Sequence, residues 1–148
     1  MRFFLLFLSH LLIVTACQTY SEQDKTTFDK TIQEYIKKNK LSLKKTSSGL
    51  YQKTMIDGEG ELIRYTDSVK VIYVGKLLNG KIVDKQTTPR IFAIKDLIAG
   101  WKEALISNRN KSKIMMIIPP QLGYGDRKLD DIPVNSILYF EMTVLDVK

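Results

Sequence analysis

The chain has 148 residues, 44% hydrophobic and 26% charged, close to average globular usage; this excludes collagen-like, coiled-coil and wholly disordered classes and leaves room for one compact domain. A single cysteine, Cys17, permits no intramolecular disulfide and no zinc site of several thiolates, and the only histidine, His10, lies in an apolar N-terminal stretch, which argues against a histidine-based triad, a haem histidine or a His-rich metal site. The formal charge of +7 first suggests nucleic acid, but Lys37-Lys38, Lys44-Lys45, Lys111 and Lys113 are scattered over different predicted elements with Glu59, Glu61 and Asp130-Asp131 between them, so a solvated basic surface is expected and no nucleic-acid partner.

Met1 to Cys17 carries one charge at Arg2, then an apolar run from Phe3 to Ala16 interrupted by Ser9 and His10. That run is short for a membrane span of about 20 residues and has the length of a secretory h-region. Its end, Val14-Thr15-Ala16-Cys17, resembles the bacterial lipobox, which implies a signal peptide over residues 1–16, cleavage before Cys17, and lipidation of Cys17. Ordinary signal cleavage at the same bond is the competing reading. An exported, lipid-anchored protein of a bacterial cell envelope is therefore expected. Gln18 after the anchor favours the outer membrane.

Residues 17–45 read as the lipidated Cys, a polar spacer to about Thr26 and an amphipathic helix. Phe28, Ile32, Tyr35 and Ile36 recur at i, i+4, i+7 and i+8, with acids early and Lys37, Lys38 and Lys40 late. This helix could pack on the following domain, pair with a second copy or act as a spacer. From about residue 46 to 148 the pattern changes to short alternating runs with turn signals, the mark of an antiparallel sheet. Leu50 to Met55 is closed by Asp57-Gly58-Glu59-Gly60; Val69, Val71 and Tyr73 alternate with Lys70 and Ile72; and Asn79-Gly80 is a hairpin signal between Leu77-Leu78 and Ile82-Val83. One short helix follows, Asp96 to about Ser107, with Asp96 suited to its N-cap and Leu97, Trp101 and Leu105 on one face. Lys113 to Ile118 is an apolar strand ended by Pro119-Pro120. From Ser136 to Val147, Leu138, Phe140, Met142 and Val144 share a face opposite Tyr139, Glu141 and Thr143.

Four blocks in this order resemble the FKBP-type peptidyl-prolyl cis-trans isomerases: Val69 to Lys81, Leu97 to Leu105 (LIAGWKEAL), Ile118 to Gly125 (IPPQLGYG) and Ile132 to Glu141 (IPVNSILYFE). The resemblance implies an α+β fold, a curved antiparallel sheet wrapped around one short helix with a pocket between them, preceded here by the N-terminal helix. Carried over residue by residue, it implies Trp101 as the floor under a bound proline, Tyr124 as a hydroxyl donor to a substrate carbonyl, Asp84 as the pocket acid, and Ile98 as a backbone N–H donor beside Leu97 on the wall. Tyr73, Phe92, Ile132 and Phe140 would complete the lining. It further implies proline-containing clients, binding of macrolide inhibitors, and neither cofactor nor metal. The layout of a lipid anchor and short helix before such a domain resembles the gliding-motility-associated isomerase lipoproteins of bacteria.

The chemistry of the residues agrees with this but does not select it alone. Rotation of an X-Pro amide passes through a twisted state with less charge separation than the planar one, so a dry apolar pocket with a few hydrogen-bond groups suffices, with no nucleophile. The same equipment suits a lipid-anchored proline-pocket binding or chaperone module with little catalysis, and a purely structural envelope lipoprotein is a third reading. The chain departs from the family at Val83 and Arg90, where aromatic residues are usual. Its segment Gly125 to Asp131, which by resemblance overhangs the pocket, is short and charged. These departures imply modest efficiency and weaker macrolide binding.

Overall fold

The computed structural model describes residues 20–148; the leader-like run, His10 and Cys17 lie outside them. Helix α1 (Glu22–Lys38) opens on a capping box, in which the Asp24 N–H donates to Ser21 Oγ and the Ser21 N–H donates to Asp24 Oδ2, both at 3.1 Å. It begins at Glu22 rather than Phe28, so most of the stretch expected to be a spacer is helical. The cap and the acids Glu22 and Asp24 in the first turn start the helix in sequence that has no apolar periodicity, while the hydroxyls of Thr26, Thr27 and Thr31 donate to carbonyls four residues earlier.

Eight strands follow: β1 (Lys44–Lys45), β2 (Tyr51–Ile56), β3 (Glu59–Leu62), β4 (Ser68–Leu77), β5 (Ile82–Ala93), β6 (Arg109–Asn110), β7 (Lys113–Ile118) and β8 (Leu138–Val147). Six form one sheet in the order β1-β2-β7-β8-β4-β5 with every neighbour antiparallel, and β3 pairs with β6 in a small second sheet. The Asn79-Gly80 turn joins β4 to β5, with Gly80 at φ +92° and Asn79 Oδ1 accepting the Lys81 N–H at 3.0 Å. β5 is longer than the sequence suggested and is interrupted: Val71 faces Arg90 while Tyr73 faces Gln86, so Thr87, Thr88 and Pro89 bulge out of the ladder.

Each face of the sheet buries a different helix. On one, the second helix α2 (Ala99–Ile106) places Trp101, Ala104 and Leu105 against Val69, Val71, Tyr73, Ile114, Met116, Ile118, Leu138, Phe140 and Met142. On the other, α1 places Ile32, 1% exposed, against Tyr51, Ile117 and Tyr139. Tyr139, expected on a polar face, is buried there, and of the roles open to α1 the structure shows packing on the domain. Asp29 ties that packing down, accepting the Tyr51 hydroxyl at 2.8 Å and pairing with Lys45 at 2.6 Å. Burial works against the Asp29 carboxylate, yet the Lys45 and Tyr51 hydrogen bonds prevail and hold it below the usual carboxylate range. Among the described residues no helix is long and apolar enough to cross a membrane.

Candidate active site

The alternation of β4 sends Val69, Val71, Tyr73 and Gly75 toward α2, and that of β8 sends Leu138, Phe140 and Met142 the same way. Two close approaches then bring the aromatic side chains together. Gly75 lies opposite Phe140 in the ladder, where a Cβ would fall 2.2 Å from the ring's Cε1. Gly100 lets α2 settle onto β7, where a Cβ would fall 2.7 Å from Ile118 Cγ2. The α2 start also differs from expectation. Asp96 does not cap it: Asp96 ends a 3-10 turn (Ile94–Asp96), Leu97 and Ile98 are extended, and Ile98 is the N-cap with no side-chain cap bond. This extended step carries Leu97 and Ile98 to the cavity.

That cavity, about 550 Å³, is lined by Tyr73, Asp84, Phe92, Asp96, Leu97, Ile98, Ala99, Trp101, Gly123, Tyr124, Arg127 and Phe140. Trp101 is its aromatic centre, 5% exposed, with ring centroids of Tyr73, Phe140 and Phe92 at 4.7, 5.1 and 6.1 Å, all edge-to-face. Polar groups line the same cavity. The Tyr73 hydroxyl donates to Asp84 Oδ2 at 2.7 Å. Burial first, then this bond and the Asp84 charge, push the Tyr73 phenol far above its ordinary value, so it remains a donor. Tyr124 is likewise raised, by burial and by the Asp84 charge, with Arg127 opposing. Its loop is pinned by the Gly123 and Gly125 N–H groups, both donating to the Pro120 carbonyl at 3.0 Å, and Gly125 takes φ +62°. The Ile98 N–H has no backbone acceptor among the described residues.

Eight of the nine pocket residues expected from sequence, Tyr73, Asp84, Phe92, Leu97, Ile98, Trp101, Tyr124 and Phe140, thus line one cavity. Ile132 does not: it is 7% exposed, packed in the adjoining core and held by mutual backbone bonds with Leu129. Asp96, Ala99, Gly123 and Arg127 were missed as lining residues. Ala99 and Gly123 stand inside the motif blocks and give no chemical signal; Asp96 was read as a cap. Arg127 belongs to the charged segment expected over the pocket, the far end of which is tied to the β4–β5 turn by Lys81–Asp131 at 2.9 Å. Of the two departures, Val83 is partly buried against the main core and Arg90 is exposed on β5.

The comparisons agree with this geometry. Residues 59–145 match the model of the FKBP-type peptidyl-prolyl cis-trans isomerase family, and the chain belongs to that family. It is 40% identical over 139 residues to the FKBP-type peptidyl-prolyl cis-trans isomerase FkpA of Buchnera aphidicola from Schizaphis graminum, an alignment covering 84% of this chain and 54% of that protein. FkpA of Escherichia coli K12 is 34% identical over 141 residues, covering 92% of this chain and 52% of that protein. The crystal structure of Escherichia coli FkpA superposes with a TM-score of 0.74 at 35% identity, over 86% of this chain and 62% of that one. A peptidyl-prolyl cis-trans isomerase from Pseudomonas syringae superposes with a TM-score of 0.71 at 27% identity, over 88% of this chain and 99% of that one. The fold is FKBP-like, and the chain spans about half the length of the curated relatives it matches, 54% and 52%.

Proposed function

We propose that this chain accelerates cis-trans isomerisation of X-Pro bonds in polypeptides by non-covalent catalysis. The observation that carries the reading is Trp101, an indole enclosed by three edge-on rings at the base of a 550 Å³ cavity, a floor suited to a pyrrolidine ring. The planar amide owes its barrier of about 18–20 kcal/mol to resonance, and the twisted amide is less polar, so an apolar, water-poor wall favours the twisted form over the planar one. The Tyr124 hydroxyl and the Ile98 N–H supply donors for the flanking carbonyls, and Asp84, held by the Tyr73 hydroxyl, adds an acceptor to the cavity wall. Binding energy from these contacts is useful to the extent that it is larger for the twisted amide.

The test is a protease-coupled or NMR exchange assay with an X-Pro peptide and the full chain. The expected result is relaxation well faster than the uncatalysed tens of seconds. A folded protein that binds the peptide without accelerating it would leave the binding or chaperone module as the function. The same cavity is proposed to admit macrolide inhibitors, weakly because Val83 and Arg90 supply no rings.

We further propose that the protein is a lipoprotein of a bacterial envelope, anchored through Cys17, with envelope polypeptides as clients. The support is the sequence Val14-Thr15-Ala16-Cys17 behind an apolar run. A labelled fatty acid should enter the wild type and fail to enter Cys17→Ser; equal labelling of both refutes the anchor.

A further inference from the structure

A second hollow, about 620 Å³, adjoins the aromatic cavity and shares Gly123 and Tyr124 with it. Its far wall is the start of α1, through Tyr20, Glu22 and Lys25; its near wall is the Ser47-Ser48 turn and the Pro120 to Asp126 loop. Unlike the cavity, it is dominated by polar groups: four hydroxyls (Tyr20, Ser47, Ser48, Tyr124), the Gln121 carboxamide and charges of both signs. Glu22 and Lys25 pair with each other at 2.7 Å, which leaves Asp126 as the one net charge of the lining. The walls are fixed. The Tyr20 hydroxyl donates to Asn135 Oδ1 at 2.6 Å, the Asn135 N–H donates to the Gly125 carbonyl at 2.8 Å, and the Ser48 hydroxyl donates to Glu103 at 2.6 Å. Gln121 Oε1 is buried without a hydrogen-bond partner among the described residues, so a rotation of the carboxamide toward the hollow, where Gln121 is a lining residue, would give this acceptor to an incoming N–H.

We infer that this hollow is a second subsite for the client chain, holding the extended backbone next to the proline while the ring sits on Trp101. The inference rests on the isomerase reading. Continuity through Tyr124 leaves a chain seated on Trp101 a direct exit along α1, and hydroxyls and a carboxamide match a peptide backbone better than apolar side chains. Because the groove offers mostly hydrogen bonds and a single net negative charge, it selects length more than sequence.

The experiment compares kcat/KM for a four-residue X-Pro peptide with that for peptides extended by four residues on either side, two unrelated polar extensions being used for each. The full chain should favour extension on one side by about five-fold or more, equally for both sequences, and Ser47→Trp or Gln121→Ala should bring that ratio back toward one. A ratio near one in the wild type, or one unchanged in both variants, overturns the subsite. If no peptide is isomerised the catalytic reading has failed, and amide shifts then decide the groove. Long peptides perturbing Ser47, Ser48 and Gln121 where the short peptide perturbs only the Trp101 indole support the subsite, and identical perturbations overturn it.

Discussion

Trp101→Leu separates a pocket floor from an ordinary core tryptophan. The indole is 5% exposed, and replacing a buried Trp by Ala in a core costs about 3–5 kcal/mol. Leu refills part of that volume. It also removes an indole Nε1–H that is buried with no hydrogen-bond partner among the described residues, a group whose burial costs about 1–3 kcal/mol. The two effects oppose, and the expected net destabilisation is about 1–2 kcal/mol, a fall in Tm of roughly 4–8 °C. Activity should suffer more. The bound proline loses an aromatic partner worth about 0.5–1.5 kcal/mol beyond area burial. Tyr73, Phe92 and Phe140 lose the ring that orients them. A tenfold or larger fall in kcat/KM is expected, since about 1.4 kcal/mol corresponds to tenfold. Thermal unfolding and the X-Pro assay on the same preparation measure both. A variant that loses the expected stability yet keeps kcat/KM within about twofold would refute the floor and return Trp101 to the core.

Tyr73→Phe deprives Asp84 of a donor at 2.7 Å. A bond to a charged group is worth about 1.5–3 kcal/mol, but water reaches half-buried Asp84, so about 1 kcal/mol of stability and a several-fold loss of kcat/KM are expected by urea titration and assay. Unchanged values in both would show the pair to be idle. Gly75→Ala drives a methyl into the Phe140 ring, and overpacking of this kind costs about 1–3 kcal/mol while pushing the ring into the cavity; a neutral Gly75→Ala would mean that β4 and β8 sit farther apart. Alkaline stability follows from six phenols, Tyr20, Tyr35, Tyr51, Tyr73, Tyr124 and Tyr139, each raised above its ordinary 10.0 with burial as the first cause. A raised native value means that the folded state keeps protons the unfolded chain releases, so their contribution is intact below about pH 10 and is lost as pH rises through the raised values. The urea midpoint should therefore hold to about pH 10 and fall beyond it; a midpoint constant to about pH 11 contradicts the burial of these rings.

Period-two alternation made β4 and β8 legible, because a half-buried strand must send every second side chain to one face, and Asn79-Gly80 marked the turn between β4 and β5 for the same kind of local reason. The motif blocks located most of the cavity. What local pattern cannot carry is a second buried face. Tyr139 and Tyr51 look like outward residues of amphipathic strands until α1 covers them, and that depends on a helix distant in sequence. The α1 start was hidden differently: the Ser21-x-x-Asp24 capping box was present, but threonines without apolar spacing obscured it. Asp96 has the chemistry of a cap and sits close to α2, yet two extended residues intervene because Leu97 and Ile98 face the cavity. Ile132 stands in one buried cluster with Trp101, Tyr73 and Phe140 without reaching the cavity wall, and its mutual backbone bonds with Leu129 hold it there.

The margins of the six-stranded sheet bear on whether a foreign strand could add to it. Loose polypeptide segments, such as the clients proposed above, join any long unpaired strand that offers them a ladder. Here one margin is only two residues wide, Lys44–Lys45, and both are lysines. The other, β5, is broken at Thr87 to Pro89 by a bulge containing an imino acid that has no N–H to offer. Each rim thus offers a stray chain only a short or interrupted template.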